Sequence, residues 1–106
     1  MSNTTAYELF SAIGNNLKGA AQGQMFGKPC FKTGGKAFVC FFENEMVFKL
    51  TGIPHHEALQ LNGAKLFDPS GKNRPMKEWV QVPEQHSTLW TKLAAEANSF
   101  VSGMLE

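Results

Sequence analysis

Two cysteines, three histidines and two groups of basic residues are the side chains of this 106-residue sequence with chemistry to offer. Cys30 and Cys40 flank Gly34-Gly35, a strong turn signal. A three-residue loop, 34 to 36, sets the two thiols directly opposite each other. A two-residue loop turns them to opposite sides of a sheet, because a one-residue slip reverses every side chain. Opposed thiols could form a redox pair. Against this stands the ordinary behaviour of cysteines in apolar strands, which are inert small hydrophobes. There is no CxxC spacing and no adjacent histidine to lower a thiol pKa. His55 and His56 are sequence neighbours, and neighbours on a helix point about 100° apart, so they do not share a metal as an i, i+4 pair would. His86 is remote from them. The expectation is no metal and no cofactor.

Lys72, Arg74 and Lys77, with Lys65 nearby, form the most basic segment, partly offset by Asp68 and Glu78. Lys28, Lys32 and Lys36 form a second. If the two segments meet on one surface, they could contact phosphates or an acidic partner. Taken singly they are solvated loop charge, which suits a formal net charge of only +1. Trp79 would add an aromatic platform if exposed, and core bulk if buried. The sequence contains no Ser-His-Asp order, no HExxH and no Walker or Rossmann glycine pattern. Gly34-Gly35 precedes a strand rather than a helix, so it is a turn and not a phosphate loop. Glu43 and Glu45 lie in a turn, where exposed carboxylates are ordinary. The pattern points away from an enzyme.

These residues must be positioned by a single domain spanning 1–106, a length with no room for a second core. The chain is 42% apolar, and nine Phe and two Trp supply bulk for packing. No apolar run approaches a bilayer span, and MSNTTAYELF lacks the basic start and apolar centre of a signal peptide. A cytoplasmic protein without membrane association is expected.

Residues 36–50, KAFVCFFENEMVFKL, form the centre of the expected fold. Two short apolar runs separated by Glu43-Asn44-Glu45 read as a β-hairpin. Strict alternation puts Phe38, Cys40 and Phe42 on one face and Ala37, Val39 and Phe41 on the other, so both faces require cover. Upstream, Thr4 or Thr5 can cap a first helix, with Glu8 as the capping-box partner of Thr5. Ala6, Phe10, Ile13 and Leu17 recur on its inner face, Gly14 weakens its middle, and its end is expected near Gly19. The segment opening at Gln24-Met25-Phe26-Gly27 is the first strand of a three-strand meander over 25–50. Pro29 marks that strand as an edge or a bulged one. A second helix over 54–61 starts with Pro54 in its first turn. Strands follow at 64–67 and 78–82, and a last helix runs over 84–103. The order α-βββ-α-ββ-α with short β–β connections predicts a two-layer α+β domain with a mostly antiparallel five-stranded sheet and flanking helices.

Met25-Phe26-Gly27, the 36–50 hairpin, Gly63 to Phe67 and the stretch Arg74-Pro75-Met76-Lys77-Glu78-Trp79-Val80-Gln81-Val82-Pro83 together resemble the TfoX N-terminal domain family. The resemblance covers about residues 5–104. It implies the same α+β fold and a relation to bacterial regulators of competence for DNA uptake. In those regulators a C-terminal domain follows, so this sequence would be a stand-alone member without it. The function expected is a non-catalytic regulatory or protein-interaction domain. It would offer a sheet face or edge, such as the Pro29 strand with Phe31, to a protein partner or a second copy of itself. The alternatives are weak nucleic-acid binding through Lys28, Lys32, Lys72, Arg74 and Lys77, and a thiol activity of Cys30 and Cys40.

Overall fold

The structure is a computed structural model in which residues 5–104 are described. The chain begins with helix α1 (Ala6–Asn15) and four successive strands, β1 (Ala20–Met25), β2 (Lys28–Thr33), β3 (Lys36–Phe42) and β4 (Glu45–Lys49). Helix α2 (Gly52–Leu59), strands β5 (Lys65–Phe67) and β6 (Met76–Val82), a 3₁₀ turn over Glu84–His86 and helix α3 (Ser87–Gly103) complete it. The α+β class and antiparallel pairing are as expected. The sheet has six strands rather than five, in the order β1-β2-β3-β4-β6-β5.

Helix α1 starts where its capping box closes. The Thr5 amide donates to Glu8 Oε1 at 2.9 Å and the Glu8 amide to Thr5 Oγ1 at 3.1 Å. Thr4, the other candidate cap, lies outside the described residues. The helix ends at Asn15, four residues before the expected Gly19. Asn16 stops it by turning its side-chain amide back to the Ala12 carbonyl at 2.9 Å, and Gly19, at φ +82°, then aims the chain into β1. Phe10 and Ile13 are buried, and Leu17 packs at the margin. Gly14 is a point of close approach: a Cβ there would overlap the Phe31 ring.

The missed strand is β1. Phe26 and Gly27, read from sequence as part of a strand, are the two residues of a β1–β2 turn, with φ of 54° and 74°. Gly34-Gly35 and Glu43-Asn44 repeat the device between β2 and β3 and between β3 and β4, with positive φ at both positions each time. Two left-handed residues match the twist of antiparallel strands, which is why such turns make tight hairpins. Phe26 is the costly member: it is a bulky residue in a left-handed conformation, 61% exposed.

Strand β2 is therefore internal, correcting the edge assignment drawn from Pro29. Pro29 is tolerated because Gln24↔Pro29, next to the turn-closing pair Met25↔Lys28, is a pair that exchanges no hydrogen bonds. On its other side, the β2–β3 register ends at Cys30↔Cys40, before Pro29 needs an N–H. The bulge in this ribbon is elsewhere. Lys32 pairs with Ala37 and Phe31 with Val39, so β3 carries Phe38 as an extra residue. Phe38 and Val39 both join the helix-side core, against the alternation expected from sequence.

Helix α3 buries Trp90, Leu93, Ala94, Ala97 and Val101, a helical stripe that covers one face of the sheet together with α1 and Ala58 of α2. Its first expected turn is the separate 3₁₀ segment. Helix α2 begins at Gly52 and ends at Leu59, so Pro54 does fall in its first turn. Among the described residues the one ion pair is Lys49–Glu78, at 4.0 Å. No described helix is long and apolar enough to cross a membrane.

Two substitutions report on these contacts. Gly14→Ala gains about 1 kcal/mol of helix propensity, but overlap with Phe31 outweighs it, since overpacking costs about 1–3 kcal/mol. Urea unfolding is expected to show net destabilisation. Phe26→Asn relieves the left-handed strain and is expected to raise unfolding stability by about 1 kcal/mol.

Candidate functional site

The sheet face away from the helices holds most of the residues singled out from the sequence. Cys30, Cys40, Val47, Phe67 and Trp79 form a second buried cluster there, with Met25, Ala37, Phe42 and Met76 around it. Helices contribute nothing to it. Cover comes from Phe67 at the end of β5, whose ring meets Phe42 edge-on at 5.3 Å. Lysine stems add the rest: Lys28 Nζ lies 4.7 Å from the Phe42 ring centroid, and Lys49 Nζ 5.9 Å from Trp79. Trp79 is a core residue, not an exposed platform.

Cys30 and Cys40 are direct cross-strand partners, both free and both buried. The loop has two residues, the case in which the thiols should have faced opposite sides. The extra residue Phe38 restores the alignment. Burial pushes the Cys30 thiol up, partly offset by Lys32. It pushes Cys40 up to about 12, with the neighbouring Cys30 adding to the effect and Lys28 opposing it. At pH 8 such a thiol is ionised to about one part in ten thousand, and the thiolate is the reactive form.

The basic residues divide. Lys28 and Lys32 are half-buried on this face, on either side of Cys30 in β2. Lys65 lies opposite Gln81 on the same face. Lys72 and Arg74 are exposed in the loop after β5. That loop is set by Asp68, whose Oδ1 accepts from the Ser70 amide at 3.1 Å, the Ser70 hydroxyl at 2.6 Å and the Gly71 amide at 3.1 Å. Its Oδ2 accepts from the Arg74 amide at 3.1 Å. These bonds, the Ser70 hydroxyl foremost, hold the Asp68 carboxyl below the usual carboxylate range. The loop and Phe42 enclose a cleft of about 350 Å³, into which Lys65 and Gln81 also project. Buried Gln81 is fixed by donating to Glu45 Oε1 at 2.7 Å. Phe42 thus sits between Lys28 and the Asp68 loop, linking the two basic segments.

Lys77 is the second residue of β6, and its carbonyl bonds His55 Nε2 at 2.7 Å. His55 is accordingly half-buried and ties α2 to the sheet. His86 Nε2 reaches the Asn62 carbonyl at 2.8 Å. Among the described residues no group of three or more His, Cys, Asp or Glu could hold a metal. Phe31, proposed from sequence as part of a contact surface, is fully buried. A separate apolar cleft of about 550 Å³ lies between the start of α2 and α3, lined by Leu50, Pro54, Ala95 and Phe100 among others.

The feature missed from sequence is the outer edge of β1, residues AAQGQM. It carries no charge and no proline, and Ala21, Gln22 and Gln24 are exposed. Comparison with known proteins finds no matching family model, no matching curated protein and no matching solved structure.

The environment of the thiols makes a definite prediction. In native protein at pH 8, iodoacetamide is expected to leave Cys30 and Cys40 unmodified, while both react once the chain is unfolded in urea. Rapid native alkylation of either, read by intact mass, would show a thiol more accessible and more acidic than its surroundings allow.

Proposed function

We propose that this chain is a non-catalytic regulatory or protein-interaction domain of the TfoX N-terminal kind, acting through the free edge of its sheet. The observation that carries the reading is the β1 edge. Natural sheets blunt exposed edges with charge, proline, bulges or short strands, because unpaired backbone groups template pairing with another chain. The opposite edge follows that rule: β5 has three residues, contains Lys65 and has a register break. Strand β1 has six residues and none of these protections. An edge left open beside one that is blocked supports a surface kept for strand addition, in which backbone hydrogen bonds provide affinity. The resemblance carried by the MFG and RPMKEWVQVP stretches supports the regulatory part of the reading.

A second reading has its own observation. Lys28, Lys32 and Lys65 share the helix-free face, and Phe42 links them to the loop bearing Lys72 and Arg74. That arrangement favours an anionic partner such as nucleic acid.

Salt separates the two. Strand addition at β1 is expected to survive a rise from low to high salt and to be lost in Gln24→Lys. Nucleic-acid binding, followed with a fluorescent oligonucleotide, should instead weaken steeply with salt. In that case the Arg74→Ala, Lys77→Ala double variant should lower the log–log slope by roughly 2, about one unit for each phosphate that is no longer neutralised. Steep salt dependence with no effect of Gln24→Lys would replace the first reading with the second.

A further inference from the structure

The β1 edge also indicates which strand it accepts. Within the β1–β2 hairpin, the turn-closing pair Met25↔Lys28 exchanges hydrogen bonds, and such pairs alternate along the ladder. Gly23↔Cys30 and Ala21↔Lys32 are therefore bonded pairs. Gln22 and Gln24 turn their N–H and C=O groups outward, away from β2. Pro29 supports the assignment independently, because it has no N–H to give to Gln24.

We infer that the occupant of this edge is β1 of a second copy of the chain, paired antiparallel about a two-fold axis at Gly23. The inference rests on the edge-interaction reading and specifies its partner and register. The sequence Gln22-Gly23-Gln24 reads the same in both directions, so a two-fold pairing centred on Gly23 sets like amide side chains, each both donor and acceptor, against one another. In this register Gln22 bonds Gln24 of the second copy, and Gln24 bonds its Gln22, each pair exchanging both N–H···O bonds. Every outward backbone group of the two residues is then satisfied. The facing Gln side chains form cross-strand amide pairs. They do so beside Tyr7, which is 43% exposed and lines a cleft of about 340 Å³ with Gln22, Gly23, Gln24 and Pro29. Gly23 meets Gly23 on the axis, where the absence of side chains allows close approach. No charge on either strand opposes the contact.

Phe26 fits the same geometry. Continuing the register, Phe26 of one copy lies across from Ala20 of the other. An aromatic residue held in a left-handed turn and 61% exposed lacks an account within one copy. At the end of a paired strand it gains apolar cover, and strained residues of this kind concentrate at functional positions. The product is a continuous sheet running through both copies.

The test is sedimentation velocity on the full chain across the micromolar range, with two variants. Gln24→Lys puts a charge on the edge, and Gln22→Pro removes an outward N–H that the β1–β2 ladder does not use. Circular dichroism checks that each variant is folded, and Gln24→Lys suffices if Gln22→Pro is not. A second measurement fixes the register. Ala21→Cys and Met25→Cys proteins are oxidised with diamide separately and as a mixture. Each new thiol gives up its proton and one electron, and the diazene is reduced to the hydrazine as the S–S bond forms. In the proposed register residue 21 faces residue 25 of the other copy, not itself, so the intermolecular disulfide should form in the mixture and in neither variant alone. The expected result is a dimer for the natural sequence, monomers for the folded variants and a mixture-specific disulfide. A monomer throughout, a dimer unaffected by Gln24→Lys, or disulfides formed equally by the single variants would overturn the inference. A monomer that still binds some other protein in a Gln24→Lys-sensitive way would remove self-pairing and leave the interaction-domain reading standing.

Discussion

The extra residue that β3 carries opposite Lys32 governs which side chains reach which face of the sheet. A two-residue turn and strict alternation would turn Val39 away from the helices and set Cys30 and Cys40 on opposite sides. With the bulge, Phe38 and Val39 both enter the helix-side core, while Cys40 lines up with Cys30 and Val47 on the other face. Because side-chain direction alternates along a strand, one inserted residue re-sorts everything on one side of it. The two cores of the domain are the consequence.

Those cores are closed by different means. On one face, α3 and α1 lay down apolar stripes, and the fit is close enough that α1 needs a glycine where it crosses Phe31. On the other face there is no helix among the described residues. The sheet covers itself with Phe67, with the stems of Lys28 and Lys49 and with a loop held by four hydrogen bonds to Asp68. Long cationic side chains can cover apolar surface while keeping their charges in water. The same economy of material explains the cysteines, which fill space beneath lysines in a setting that suppresses ionisation.

The two sheet edges contrast as sharply as the two faces. At β5 the sheet ends in a strand too short and too irregular to template pairing, whereas at β1 it ends in six uncharged residues with a symmetric centre. Three tight hairpins in succession carry the chain out to that edge. The strain accepted at Phe26 lies at its tip, where packing within one copy gives nothing back.

Much of this was legible in the amino-acid sequence, and the division follows the range of the forces involved. The capping box at Thr5 and Glu8, the 36–50 hairpin, the stripe of α3 and the α+β class rest on residues a few positions apart, so local pattern suffices. Strand β1 left no such pattern: Ala-Ala-Gln-Gly-Gln-Met does not alternate, and it is a strand because β2 lies beside it. The Phe26-Gly27 turn was hidden because an aromatic residue is a poor signal for a left-handed position. Pro29 was read correctly as unable to serve a full ladder, yet only the register shows that an internal strand can spare that N–H. The basic residues, the two cysteines and the histidines were visible as types. Which of them are buried, opposed or tied to a distant carbonyl depended on a bulge and a loop that bring together residues far apart in the chain. Sequence alone therefore determined the class of the fold and the elements whose patterns are local. Tertiary structure alone decided the register, the accessibility of each candidate residue and which edge of the sheet stays open, because hydrogen-bond pairing and burial are properties of neighbours that the sequence does not place side by side.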